Sequence, residues 1–146
     1  MNSFFSRDGL DISSVKILVV DDQVMNIQSV NALLSNTYTI LAATNGEDAL
    51  KIAEEQSPDL ILMDVVMPEM SGREVCLLLK SNDATADIPV IFITTVSGEQ
   101  DENECWESGG VDFIAKPFNP QTLKNRVKVH LELKSQKDIL MTLAYS

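Results

Sequence analysis

Four apolar stretches of the chain each end in a polar side chain that can do chemistry. In chain order these side chains are the acidic pair Asp21 and Asp22, then Asp64, Thr94 and Lys116. Three carboxylates, one hydroxyl and one ammonium are suited to hold a divalent cation and a phosphoryl group together. The spacing predicts such a site if the four stretches end at one place.

The chemistry of these groups explains why they would occur together. Three carboxylates within ~4 Å repel one another by several kcal/mol at an effective dielectric near 20. Mg²⁺, a small hard cation with oxygen ligands, compensates that repulsion best. Asp64, on a different strand from the acidic pair, is then free to act as a nucleophile. The Thr94 hydroxyl and the Lys116 ammonium would meet the phosphoryl oxygens.

Each of these residues also has an ordinary structural explanation. Asp22 could cap a helix, Thr94 could end a strand, and Lys116 could be a surface charge. The coincidence of all five on one sheet edge favours a site.

Short apolar runs alternate with longer helical patterns along the chain. Strands are predicted near 16–20, 38–43, 59–63, 89–93 and 111–115. Helices are predicted near 24–35, 46–57, 71–82, 99–109 and 120–142. Strands rich in Ile, Val and Leu without alternation are buried on both faces, and the helices supply the crossovers of a parallel sheet. Open sheets of this kind bind ligands beyond the carboxyl ends of the strands, where the polar residues lie.

Composition narrows the class of protein. The 146 residues, 45% of them hydrophobic, predict one globular domain. With 22 acidic residues against 11 Lys and Arg, the net charge of −11 argues against direct nucleic-acid binding. The chain has no signal peptide and no run of ~20 apolar residues, which predicts a soluble, cytoplasmic protein without membrane insertion. Cys76 and Cys105 fall inside helical patterns and are expected to be free thiols.

The last helix is longer than the domain needs and carries two sets of apolar residues. The set that can face the sheet is Leu123, Val127 and Leu131. The set at about heptad spacing, interrupted by Gln136, is Val129, Leu133, Leu140 and Leu143. If the chain forms a homodimer, this second set predicts pairing through the helix; a frayed helix end is the alternative. His130, the one histidine, is expected to be a solvated helix residue.

Four segments together resemble the receiver domain of two-component response regulators, over about residues 15–134. The segments are 19–23, 60–72, 91–94 and 112–118. The resemblance implies a flavodoxin-like (βα)5 fold, a doubly wound parallel α/β sheet of strand order 2-1-3-4-5, with an extended C-terminal helix. It also implies that a sensor histidine kinase or a histidine phosphotransfer protein passes a phosphoryl group to Asp64.

The same resemblance assigns roles within the site. Asp22, Asp64 and the backbone carbonyl of Val66 correspond to direct Mg²⁺ ligands, and Asp21 to a ligand acting through water. Asp64 corresponds to the phosphorylated residue.

Three further residues correspond to the family's response to phosphorylation. Thr94 and Lys116 would contact the phosphoryl group, and Phe113 occupies an aromatic switch position three residues before the lysine. The Lys116-Pro117 bond corresponds to a cis peptide.

The ends of the chain complete the domain hypothesis. Residues 1–14 are interpreted as a flexible leader, 15–134 as the receiver, and 135–146 as a helical linker toward an output domain. The segment 127–134 resembles the helix that leaves receivers fused to cyclic-di-GMP enzymes, and 140–146 resembles the lead-in to a diguanylate cyclase (GGDEF) domain. Both suggest cyclic-di-GMP signalling.

Other protein classes fit the residues less well. A haloacid dehalogenase phosphatase needs a second Asp two residues after the nucleophile, where Val66 stands. A flavin carrier needs a glycine-rich phosphate loop where Asp21 and Asp22 stand. A non-phosphorylated pseudo-receiver, acting as an interaction module, remains the alternative function.

Overall fold

The computed structural model describes residues 15–95 and 99–144, and the proposed leader 1–14 lies outside that range. The strands are β1 Lys16–Val20, β2 Thr39–Ala43, β3 Leu60–Met63, β4 Val90–Thr94 and β5 Asp112–Ala115. The helices are α1 Val24–Leu34, α2 Gly46–Gln56, α3 Gly72–Lys80, α4 Glu99–Glu107 and α5 Pro120–Ala144. All ten elements predicted from the sequence are present, and their ends move by no more than two residues.

The five strands form one parallel sheet in the order β2-β1-β3-β4-β5. The predicted flavodoxin-like order is therefore confirmed. Val20 of β1 pairs with Met63 of β3, and Thr94 of β4 pairs with Ala115 of β5. Because the strands are in register at these ends, the residues that follow them emerge at one edge of the sheet.

Side chains that alternate along the buried strands fill two apolar cores. Leu18 and Val20 enter the core covered by α2, α3 and α4, whereas Ile17 and Val19 enter the core covered by α1 and α5. Strands buried on both faces need apolar residues at every position, which explains their unbroken hydrophobic runs. The expected residues of α5 face the second core: Leu123, Val127 and Leu131.

Side chains cap the amino ends of α2 and α3, which lie on the face of the sheet opposite to α1 and α5. The Asn45 side chain accepts a hydrogen bond from the backbone N–H of Asp48 at the start of α2. The Ser71 hydroxyl accepts one from the N–H of Glu74 at the start of α3. These bonds satisfy amides that lack a partner within the helix, so each helix begins at a defined residue.

The two cysteines lie in α3 and α4 as expected. Cys76 and Cys105 are both free and buried. Burial raises the pKa of the Cys105 thiol to about 11, so this thiol is a poor nucleophile at neutral pH. Across residues 15–95 and 99–144, no helix combines the length and apolar character needed to cross a membrane.

Candidate functional site

The three predicted aspartates meet at the carboxyl edge of the sheet. Asp21 and Asp22 follow β1, Asp64 follows the neighbouring β3, and one oxygen from each carboxylate lies within 4.8 Å of the others. Asp21 and Asp64 are buried, and Asp22 is half-buried. Clustered carboxylate oxygens are the hard ligands that Mg²⁺ prefers, so these residues fit such an ion.

Lys116 supplies the positive charge nearest to these carboxylates. Its Nζ lies 2.8 Å from Oδ2 of Asp21 and 3.9 Å from Oδ2 of Asp64. The Lys116 side chain is 17% exposed, so the ordinary explanation of a surface charge does not apply. One ammonium against three carboxylates leaves the edge with excess negative charge.

Asp64 is held in an environment that disfavours its charge. Burial raises the pKa of its carboxyl above the ordinary value; Lys116 opposes this effect, and Asp21 adds to it. The fully buried Thr94 side chain and the backbone N–H of Val65 hydrogen-bond to the Asp64 carboxylate. The hydroxyl is thus already placed beside the predicted nucleophile.

Gly72, which the sequence analysis did not single out, packs against the backbone of Asp64. Its N–H donates to the carbonyl of Val65 over 2.8 Å. A Cβ built on Gly72 would lie 2.0 Å from the carbonyl oxygen of Asp64, which no real contact allows. Gly72 ends one of the segments quoted above, but only the fold reveals that α3 starts against the acidic edge.

Val66 and Phe113 occupy the remaining predicted positions. Val66 is 60% exposed and directly follows the buried residues Asp64 and Val65. Phe113 is half-buried and packs on the core beneath α2, α3 and α4. The Lys116-Pro117 peptide is cis, as the resemblance implied.

A cavity of about 490 Å³ opens beside the acidic edge. It lies between α1, represented by Asn26 and Ser29, and the loop at Pro117 and Phe118. Asp21, Asp64 and Lys116 line the same space, so a group that enters there reaches the carboxylates.

His130 contradicts the expectation that it is solvated. Its side chain is 16% exposed, and Nε2 lies 3.0 Å from Oδ2 of Asp112 at the start of β5. Arg126 donates to the other oxygen of Asp112 over 2.6 Å. Burial alone would raise the pKa of Asp112, but the hydrogen bonds from Arg126 and His130 hold that pKa below its ordinary value. This cluster joins α5 to β5 far from the acidic edge.

Comparison with known protein families agrees with the observed fold. Residues 17–128 match the model of the response regulator receiver domain. The chain belongs to this family. Its fold, its strand order and the convergence of its acidic residues are those that the sequence resemblance implied.

Two curated relatives are longer proteins. A probable cyclic di-GMP phosphodiesterase of Vibrio cholerae is 45% identical over 141 residues, which are 97% of this chain and 32% of that protein. The response regulator PleD of Caulobacter vibrioides is 41% identical over 116 residues, which are 79% of this chain and 26% of that protein. The chain thus spans about a third or less of either relative.

A solved receiver structure has a similar fold. The receiver domain of the sensor histidine kinase PA1611 from Pseudomonas aeruginosa is 27% identical, with a TM-score of 0.76, over 82% of this chain and 98% of that one. That structure has a magnesium ion coordinated in its active-site cleft.

Proposed function

We propose that this receiver takes a phosphoryl group onto Asp64 from a phosphohistidine of a sensor histidine kinase or histidine phosphotransfer protein. The observation that carries the proposal is the excess of carboxylates over ammonium around a buried Asp64. Such an excess costs stability unless cations compensate it, and phosphoryl transfer between anions requires that compensation. A pseudo-receiver that only binds other proteins has no need of it.

The proposed reaction follows from the positions of the groups. A carboxylate oxygen of Asp64 forms a bond to phosphorus, and the bond from phosphorus to the donor's imidazole nitrogen breaks. The electron pair of that broken bond returns to the imidazole. Lys116 is close enough to turn from Asp21 to a phosphoryl oxygen and neutralise part of its charge.

Mg²⁺ would be held by Asp22, Asp64 and the backbone carbonyl of Val66, with Asp21 acting through water. When bound, the ion supplies Lewis-acid neutralisation of the phosphoryl charge. The close approach of the three carboxylates supports this ligand set.

Thr94 and Phe113 are proposed to report the phosphorylated state. The Thr94 side chain already hydrogen-bonds to Asp64 and would bond to the new phosphoryl group instead. Phe113, half-buried and without a hydroxyl, would respond by ring packing alone. Phe113→Ala should then leave phosphorylation of Asp64 intact and remove its effect on output.

Phosphotransfer to matched variants tests the main proposal. Wild-type protein incubated with Mg²⁺ and a phosphorylated histidine phosphotransfer domain should gain the mass of one phosphoryl group. Asp64→Asn should gain none. Asp59→Asn is the control because Asp59 precedes the same strand at its other end, where an amide oxygen can still accept the N–H of Lys16. Equal labelling of Asp64→Asn and wild type would overturn the assignment.

The output of this receiver is proposed to be an enzyme of cyclic-di-GMP turnover, attached or separate. The resemblance of the tail favoured a diguanylate cyclase. The relative matched over 97% of the chain, tail included, is a probable cyclic di-GMP phosphodiesterase, which supports degradation as the alternative direction. Cyclic-di-GMP measured in cells that carry wild-type or Asp64→Asn protein tests the link, and equal levels would contradict it.

We propose that the receiver occupies residues 15–134 of a cytoplasmic protein. Residues 1–14 would be a leader and 135–146 a helical linker. The continuity of α5 from Pro120 to Ala144, well beyond the last core residue Leu131, supports the linker.

A homodimer through α5 is proposed as a second feature of the linker. The outer apolar residues of the helix are exposed, whereas the inner ones fill the core. Removing residues 135–146 should therefore weaken dimers, as measured by analytical ultracentrifugation. Equal association of full and shortened chains would contradict it.

A further inference from the structure

The face of α5 that fills the second core continues beyond the sheet. Leu123, Val127 and Leu131 are buried at steps of four residues. Two further steps along the same face lead to Ser135 and Ile139. Ile139 is 46% exposed although it continues the core face. The helix therefore carries its apolar face past the last strand that it covers.

A groove of about 320 Å³ lies along this continued face. Four residues line it from the helix: Leu131, Ser135, Ile139 and Thr142. Asp59, the residue before β3, lines it from the sheet. The groove is therefore at the amino ends of the strands, opposite to the acidic edge.

The chain enters the sheet beside this groove. The N–H of Lys16 donates to Oδ2 of Asp59 over 2.9 Å, and the N–H of Asp59 donates to the carbonyl of Lys16 over 2.8 Å. Val15, directly before Lys16, is buried, and its carbonyl accepts a hydrogen bond from Thr39. Because Asp59 lines the groove as well, residues 1–14 join the domain next to it.

The segment that joins there has apolar residues at a suitable spacing and distance. In the run Leu10-Asp11-Ile12, an acid separates two apolar side chains. Residues two apart point to the same side of an extended chain, so both apolar side chains can face one surface. About five extended residues, as from Leu10 to Val15, span roughly 16 Å. The helix rises by about 12 Å from Leu131 to Ile139, which lies within that reach.

We propose that the leader turns back over α5 and places Leu10 and Ile12 in the groove, against Leu131 and Ile139. Three observations support this occupant: the groove begins where the leader joins the domain, its length suits the leader, and its apolar residues suit those of the leader. A docked leader would hold the extension of α5 against the receiver and fix the direction in which the linker leaves. The inference goes beyond the proposed function and does not depend on phosphorylation.

Disulfide formation within one chain tests the contact. The full chain with Ile12→Cys and Ser135→Cys, treated with a mild oxidant at low protein concentration, should form an internal disulfide in high yield. The native thiols are buried and add little background. Ile12→Cys with Leu133→Cys is the control, because Leu133 is 53% exposed but lies on the opposite face of the helix. Equal yields in the two pairs would overturn the proposal. Covalent dimers in place of internal disulfides would put a second copy in the groove and overturn it too.

Hydrogen exchange tests the effect on the helix. Leu10→Ser combined with Ile12→Ser should speed amide exchange across residues 135–143 by about tenfold, because local opening of the helix then breaks no contact with the leader. Exchange in α2 should not change. Phe4→Ser combined with Phe5→Ser is the control, since it removes two apolar side chains from the same leader and should leave exchange as in wild type. Equal acceleration in both double variants, or none in either, would contradict the docking of Leu10 and Ile12.

Phosphoryl labelling of Asp64 in the same samples keeps this inference separate from the proposed function. The variant with Leu10→Ser and Ile12→Ser should be labelled like wild type, which also shows that its receiver is folded. A wild-type chain that takes no label would contradict the proposed function and leave the expected disulfide unchanged. A labelled chain without the internal disulfide would overturn the docking alone.

Discussion

Asp64 and Asp112 lie at opposite ends of the strands of one sheet, and they differ in the balance of charge around them. Asp112, at the start of β5, receives hydrogen bonds from Arg126 and His130, and its pKa is lowered. Asp64, directly after β3, shares one lysine with Asp21 and lies beside Asp22, and burial above all raises its pKa. The balanced cluster joins two elements, whereas the unbalanced one has an excess of negative charge that a cation can neutralise. Residual charge, more than the presence of carboxylates, separates a site from a structural contact.

The largest effect on stability is expected in the balanced cluster of Asp112, Arg126 and His130. Asp112→Ala removes the acceptor for Arg126 and His130 and should lower the free energy of unfolding by about 2–3 kcal/mol. Phosphorylation of Asp64 should persist. Chemical denaturation measures the change. Asp87→Ala, which removes an open surface pair, should cost almost nothing, and equal losses in the two variants would remove the distinction.

Mg²⁺ should stabilise the folded protein by binding at the acidic edge formed by Asp21, Asp22 and Asp64. An ion bound only by the folded state adds about 1.4 kcal/mol at ten times its Kd. The Tm should therefore rise with millimolar Mg²⁺ in wild type and not in Asp22→Ala. Asp112→Asn provides the comparison, since it should keep the full Mg²⁺ response. A rise of equal size in Asp22→Ala would place the ion elsewhere.

Without Mg²⁺, removing charge at the unbalanced edge should help the fold. Asp64→Asn relieves repulsion from Asp21 and Asp22 and should raise the free energy of unfolding by about 1 kcal/mol in chelator. Asp112→Asn should act with the opposite sign under the same conditions. Destabilisation by both substitutions would show that the two aspartates do not differ in the way described.

The smallest effect is expected on the stability contribution of Asp112 at low pH. Because the folded pKa of Asp112 is depressed, its contribution is present above the unfolded pKa near 3.9 and is lost as pH falls through the folded pKa. The difference in unfolding free energy between wild type and Asp112→Asn should therefore shrink as the pH falls below about 4. Urea titrations across this range measure it, and a gap that widens in acid would reverse the sign.

The acidic edge was predictable from the sequence, whereas the balanced edge was not. Asp21 and Asp64 directly follow apolar runs, and parallel pairing in register forces such positions together. The contact between Asp112 and His130 depends on how α5 lies across the sheet, which local pattern does not encode. His130 was for that reason wrongly expected to be solvated.

Close contacts around Asp64 also required the three-dimensional structure. Gly72 could be quoted as part of a motif, but its close packing on the Asp64 carbonyl, which leaves no room for a Cβ, depends on where α3 starts relative to β3. Lys116 was expected beside a phosphoryl group. Which carboxylate lies nearest to it, Asp21 at 2.8 Å or Asp64 at 3.9 Å, could be read only from the structure.

Locating the phosphoryl group tests the central claim most directly. Protein phosphorylated in the presence of Mg²⁺ can be reduced with borohydride, which converts a phosphorylated aspartate to homoserine, and then digested for peptide mass mapping. We predict homoserine at position 64, with the aspartates at positions 21, 22, 59 and 112 unchanged. Homoserine at any of those four positions and none at 64, in protein shown to carry a phosphoryl group, would contradict the assignment of Asp64 as phosphoacceptor.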